Sequence, residues 1–189
     1  MNLPNRLTLL RIALVPVFVV LLLIPAIPHR YLLAMAVFGA AALTDLFDGK
    51  IARKHNLITN FGKLMDPLAD KILVTAALLC FIELDLSGSL VVILILTREF
   101  LVTSLRCVAL ESGTVIAANQ WGKAKTVMQI VAILVVMALQ ELALLFPVLA
   151  ELLPLVLIGE IFLWISAVLT VISGVIYIWD NRACIGDIR

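Results

Sequence analysis

Four aspartates carry the strongest chemical signal in the chain: Asp45 and Asp48 stand three residues apart, Asp66 and Asp70 four apart. On a helix each pair projects from one face, and two facing helices could converge all four carboxylates. Carboxylate oxygens are what hard divalent cations prefer as ligands, and such ions are commonly held beside a phosphate-containing substrate. The aspartates adjoin long apolar runs, where an acid costs ~2.5–3.5 kcal/mol at mid-bilayer and less near the interface. A bound cation offsets that cost and removes the repulsion that would otherwise push some of the acids to protonate. The plainer alternative is that Lys50, Arg53, Lys63 and Lys71 neutralise them as surface ion pairs. That suffices for one aspartate. It does not account for two spaced pairs accompanied by Gly49, Ala52 and Gly62, small residues that let something approach the backbone closely.

A second group is cationic. Arg98, Arg106, Lys123 and Lys125 fall within or beside two apolar runs in a chain with 14 Lys and Arg in all. Such a gathering suggests a bound anion, and the arginine fork suits phosphate oxygens. Snorkelling to headgroups, or pairing of Arg98 with Glu99, is the competing explanation. Other reactive residue types invite less. His29 and His55 have no partners at metal-ligand spacing. Cys80, Cys107 and Cys184 lack CxxC spacing and read as small buried hydrophobes. Trp121, Trp164, Trp179 and Tyr177 read as interface anchors or packing residues, and Glu160 either faces the outer interface or acts within the membrane.

The elements that position these groups are membrane helices. Of 189 residues 63% are hydrophobic and 14% charged, with a mean hydropathy of +1.17, far from the balance of a soluble domain. The net charge of +1 gives no sign of nucleic-acid binding. Six apolar segments, at about 9–27, 31–47, 67–84, 88–110, 124–146 and 155–179, approach or exceed the roughly 20 residues that cross a bilayer. The expected fold is all-α and integral to the membrane, one domain over 1–189 with six transmembrane helices. Arg6, Arg11, Lys50, Arg53, Lys54, Lys63, Lys123, Lys125, Arg182 and Arg189 fall at the termini and in the second and fourth connections, against Arg30 alone in the other three. Both termini are therefore expected in the cytoplasm, with Glu83, Asp85, Glu141 and Glu151 on the outer side. Pro28-His29-Arg30 follows the first run where a signal peptide would have small residues, so that run reads as a retained span. The first ten residues suit a short interfacial helix or a polar end of the first span equally. Pro147 and Pro154 are expected to bracket a short turn.

The spacing Asp45-x2-Asp48-Gly49-x2-Ala52-Arg53-x8-Gly62-x3-Asp66-x3-Asp70 resembles the complete signature of the CDP-alcohol phosphatidyltransferase family. Asn5-x2-Thr8-x2-Arg11, Arg98-Glu99, Ser104-Leu105-Arg106 and Gly122-Lys123-x-Lys125-Thr126-x2-Gln129 are similar to motifs of the bacterial phosphatidylglycerophosphate synthases. The resemblance implies transfer of a phosphatidyl group from CDP-diacylglycerol to glycerol 3-phosphate with release of CMP. By the same resemblance Asp45, Asp48, Asp66 and Asp70 ligate two ions, Mg2+ or Mn2+, and Asp70 is the catalytic base. Asn5, Thr8, Gly49, Ala52, Arg53, Thr59 and Gly62 contact the CDP moiety. Arg98, Arg106, Lys123 and Lys125 are left for the acceptor's phosphate. The implied setting is a homodimer in the inner (plasma) membrane, in contact with membrane lipid and with its active site facing the cytoplasm. Two rivals remain. One is the same chemistry with another acceptor, such as inositol phosphate or serine. The other is a cation transporter, which gives no reason for Gly49 and Arg53 at fixed spacing.

Overall fold

Every regular element among the described residues is an α-helix, as long apolar runs require where no water is at hand to satisfy the backbone. The computed structural model describes residues 3–55, 60–111 and 120–182, with side chains over 8–44, 69, 71–109 and 120–182. The helices are α1 (Leu3–Leu23), α2 (Arg30–His55), α3 (Asn60–Glu83), α4 (Ser89–Glu111), α5 (Gln120–Leu145), α6 (Pro147–Leu152) and α7 (Leu155–Asp180). At 26 residues each, α5 and α7 reach about 39 Å and are long and apolar enough to cross a membrane. Thr8–Leu23 and Arg30–Thr44 are shorter apolar stretches.

Several boundaries differ from the hydropathy reading. α1 runs unbroken from Leu3, so the residues from Leu3 on continue the helix of the first apolar segment and do not form a separate helix. α2 and α3 extend past their apolar runs, to His55 and back to Asn60, because backbone hydrogen bonding continues where hydropathy has already fallen. Pro67 accordingly lies inside α3 rather than in its first turn. Pro147 opens the short helix α6 where a turn was expected: at the first helical position its missing N–H has no bond to lose.

The chain forms two compact units, one of residues 1–84 with 137–155, the other of residues 85–136 with 156–189. In the first, α1 packs against α2 and α3. Its buried face is Thr8, Arg11, Phe18 and Leu22, a helical spacing. The Phe18 ring lies 5.8 Å from that of Phe38, tilted by 50°. Ala34 and Ala41 on α2, with Ala69 and Ala77 on α3, are buried and small enough to let helices approach closely, the packing that membrane helices use.

The start of α2 is held from afar. His29 takes a left-handed conformation (φ 52°), the Leu32 backbone N–H donates to Glu141 Oε2 at 3.2 Å, and His29 Nδ1 meets Glu141 Oε1 at 2.6 Å. Glu141 is thus a buried acid that occupies the electropositive end of a helix, not merely an outward-facing charge. Glu141→Ala leaves the Leu32 N–H without that acceptor and is expected to cost about 1–3 kcal/mol. Thermal unfolding in detergent should show a lowered midpoint; an unchanged one contradicts the capping role.

In the second unit, α7 from Ser166 onward is polar or small inside, while its outer side is apolar. Ser166, Ala167, Thr170, Ser173, Gly174 and Tyr177 are buried, while Ile161, Val168, Val171, Ile172, Val175 and Ile178 are exposed. That distribution suits a helix with lipid on its outer side, where apolar surface need not be hidden. At Gly159 an added Cβ would lie 3.1 Å from Val136 Cγ2, so α7 and α5 pass closely there. Cys107, expected to be buried, is exposed on α4, whereas Cys80 is buried.

Candidate active site

The two aspartate pairs fall on two helices, as their spacing required. Asp45 and Asp48 are in the last part of α2, Asp66 and Asp70 in the first part of α3, with residues 56–59 between the helices. The side chains of Asn5, Asp45, Asp48, Gly49, Ala52, Arg53, Gly62, Asp66 and Asp70 lie outside the described residues, and Thr59 does so entirely. Among the described side chains no cluster of three or more His, Cys, Asp or Glu could hold a metal ion. The donor set on α2 and α3 is all carboxylate, the chemistry that fits Mg2+ or Mn2+ and not a soft metal. Thr44, one residue before the first aspartate, turns its hydroxyl back to the Ala40 carbonyl at 2.8 Å, so its side chain bonds within the helix.

Of the residues expected to touch CDP, Thr8 is described, and it is buried with a relative exposure of 1%. Arg11, three residues on, has the same exposure of 1%. A charged side chain this deep requires compensation by hydrogen bonds or an opposite charge. The three-residue spacing of Thr8 and Arg11 puts both on one face of α1.

The cationic cluster is partly assembled within the second unit. Arg98 on α4 donates from Nη2 to Ser173 Oγ at 2.7 Å and from Nη1 to Glu99 Oε1 at 3.3 Å. Lys125 on α5 donates from Nζ to the same Glu99 oxygen. One carboxylate therefore joins two of the expected cations, all three side chains being largely buried. The pairing of Arg98 with Glu99 that competes with anion binding does exist. It leaves Arg98 Nε buried and without a hydrogen-bond partner among the described residues. Arg106, further along α4, lies 5.9 Å from the centre of the Tyr177 ring. Lys123 is exposed and does not join these contacts: two residues from Lys125, it points to a different side of α5.

Around this cluster Gln129 Nε2, Ser166 Oγ, Thr170 Oγ1 and the Tyr177 hydroxyl are buried and have no hydrogen-bond partner among the described residues. Such groups are costly to bury unsatisfied, so their concentration marks a polar interior. Tyr177 is buried, while Trp121, Trp164 and Trp179 are exposed. Glu99 as a bridge, with Ser173 and Gly174 as neighbours of Arg98, is absent from the expected site. The recurrence of small or polar residues at 166, 170, 173, 174 and 177 in an otherwise apolar run was the available signal.

The family model described as CDP-alcohol phosphatidyltransferase matches residues 1–172. The chain is 43% identical to the CDP-diacylglycerol–glycerol-3-phosphate 3-phosphatidyltransferase of Bacillus subtilis, over 95% of each chain. It is 38% identical to the protein of the same name from Rickettsia bellii, over 97% of this chain and 95% of that one. To the one from Rickettsia typhi it is 39% identical, over 97% of both.

Proposed function

The chain belongs to the CDP-alcohol phosphatidyltransferase family, and on that premise we propose that it transfers the phosphatidyl group of CDP-diacylglycerol to sn-glycerol 3-phosphate, giving phosphatidylglycerophosphate and CMP. The observation that carries the acceptor is the near full-length similarity to proteins named for that reaction. The cations gathered about Glu99 and Tyr177 support it, since a phosphorylated acceptor calls for them and serine does not.

In this reading Asp45, Asp48, Asp66 and Asp70 would hold two Mg2+ or Mn2+ ions. Bound there, such ions would supply positive charge to offset the diphosphate and the departing CMP, and Lewis acidity at the attacked phosphoryl group. Asn5, Thr8, Gly49, Ala52, Arg53, Thr59 and Gly62 hold the CDP moiety, the small residues admitting it close to the backbone. Asp70 takes the proton of the acceptor hydroxyl as its oxygen bonds to the phosphatidyl phosphorus. The bond from that phosphorus to the CMP oxygen breaks, and CMP leaves with the electron pair. Arg98, Arg106 and Lys125 hold the acceptor's phosphate, and exposed Lys123 attracts the anion from solution.

The reading includes six transmembrane helices, both termini and the active site on the cytoplasmic side of the inner (plasma) membrane, and a homodimer. The asymmetry of basic residues supports the orientation, and the length of α5 and α7 supports the spans. Soluble acceptor and CMP then exchange with the cytoplasm while the acyl chains stay in lipid. An acceptor screen with CMP release as readout tests the proposal. Glycerol 3-phosphate is expected to support release, and inositol phosphate and serine are not. Release with inositol phosphate alone keeps the family chemistry and overturns the acceptor.

A further inference from the structure

We infer that Ser173, Gly174 and Tyr177, on the last turns of α7, are positioning residues that draw Arg98 and Arg106 together for the acceptor's phosphate; this rests on the acceptor reading above. None of the three lies within residues 1–172, the segment that the family model matches.

Gly174 provides the room. A Cβ there would stand 2.8 Å from Arg98 Cγ, closer than such atoms approach, and 3.2 Å from Arg98 Nε. Arg98 Cγ belongs to the stem of the side chain and not to its flexible end, so the arginine would have to shift. Glycine lets that stem lie against the α7 backbone, and Ser173 beside it takes the Nη2 hydrogen bond at 2.7 Å. Tyr177, one turn on, offers its ring face to Arg106.

The spacing of these contacts implies convergence. Within this unit α4 and α7 run in the same direction, since Arg98 meets Ser173 and Arg106 meets Tyr177. Eight residues of α4 separate the roots of the two arginines by about 12 Å along the helix. Four residues of α7 separate their partners by about 6 Å. The two side chains therefore lean toward each other. Bringing guanidinium groups together raises their repulsion, and Glu99, the acid that pairs with Arg98 among the described residues, is already shared with Lys125. A phosphate would supply the missing negative charge, and Arg98 Nε is a buried donor with no hydrogen-bond partner among the described residues. In this arrangement α4 carries the charges and α7 sets their separation.

The test is steady-state kinetics of purified protein in lipid nanodiscs with CDP-diacylglycerol and glycerol 3-phosphate, for Gly174→Ala, Ser173→Ala, Arg98→Ala and the double variant Gly174→Ala/Arg98→Ala. Ser173→Ala adds no bulk and keeps the question open if Gly174→Ala fails to fold. Gly174→Ala and Ser173→Ala are expected to raise the KM for glycerol 3-phosphate about tenfold and about threefold, with kcat and the KM for CDP-diacylglycerol within about twofold. In the Arg98→Ala background Gly174→Ala should add less than about twofold, because its target is gone. An unchanged acceptor KM in both single variants overturns the positioning role, as does an equal effect of Gly174→Ala with and without Arg98. If Arg98→Ala itself leaves the acceptor KM unchanged, the acceptor-phosphate reading falls and this one with it. A response of Arg98 without one from α7 overturns only the present inference.

Discussion

Asp70→Asn is expected to lower turnover by at least about a thousandfold while the protein stays folded and inserted in the membrane. Asparagine keeps the size of the side chain and one oxygen able to ligate, but it carries no charge and takes no proton. Loss of a general base alone costs about 10²–10⁴-fold. In the proposed mechanism Asp70 is also a metal ligand, so the same change weakens ion binding. Asp70 is within α3, where asparagine is a helix former comparable to aspartate, so the backbone has little reason to respond. CMP release measured beside the thermal midpoint in detergent separates the two effects. Near-normal activity would remove Asp70 as both base and ligand.

Removal of divalent metal should have an effect of the same order. With excess chelator, CMP release is expected to fall below about one hundredth of its normal rate, and Mg2+ or Mn2+ should restore it. The cause is electrostatic. In the proposed site four carboxylates converge from α2 and α3, so without cations they would repel one another and a diphosphate would meet charge of its own sign. Ions that bind the folded state should also raise its thermal midpoint, with the logarithm of their concentration once it exceeds the dissociation constant, a readout independent of turnover. Full activity in chelator, with no change of midpoint on adding Mg2+, contradicts the assignment of these aspartates as ligands.

What could be read from the sequence depended on the range of the interaction. The aspartate pairs were legible because their geometry is local: three or four residues on one helix suffice, and both pairs do lie on helices. The apolar segments were legible because hydropathy is a property of each stretch alone. Their ends were not, since the helical hydrogen bonds of α2 continue through charged residues to His55. Pro147 was read as a breaker, yet at the first position of α6 the same ring favours a helix. His29 and Glu141 are separated by 112 residues, and nothing in either neighbourhood announces their contact. The bridge from Arg98 through Glu99 to Lys125 was half legible: the neighbouring pair was visible, whereas the lysine comes from another helix. Gly174 was illegible as a seat for Arg98, because a glycine in an apolar run gives no hint of what passes over it.

The resemblance in the motifs and the near full-length similarity to Bacillus and Rickettsia proteins lead to one reaction class. The physical reading adds why the chain is built as it is. Acidic residues at the ends of apolar helices are tolerable when they hold cations, and buried basic residues are tolerable when an acid or a phosphate meets them. A transporter would share the first feature. It would have no use for the second in this form.

The most direct measurement follows labelled glycerol 3-phosphate from water into the lipid extract, with purified protein, CDP-diacylglycerol and Mg2+. The account predicts label in phosphatidylglycerophosphate, matched mole for mole by CMP, and none when CDP-diacylglycerol is omitted. Label that stays in the aqueous phase, with no CMP formed while the same preparation carries Mg2+ or Mn2+ across a vesicle membrane, would contradict it.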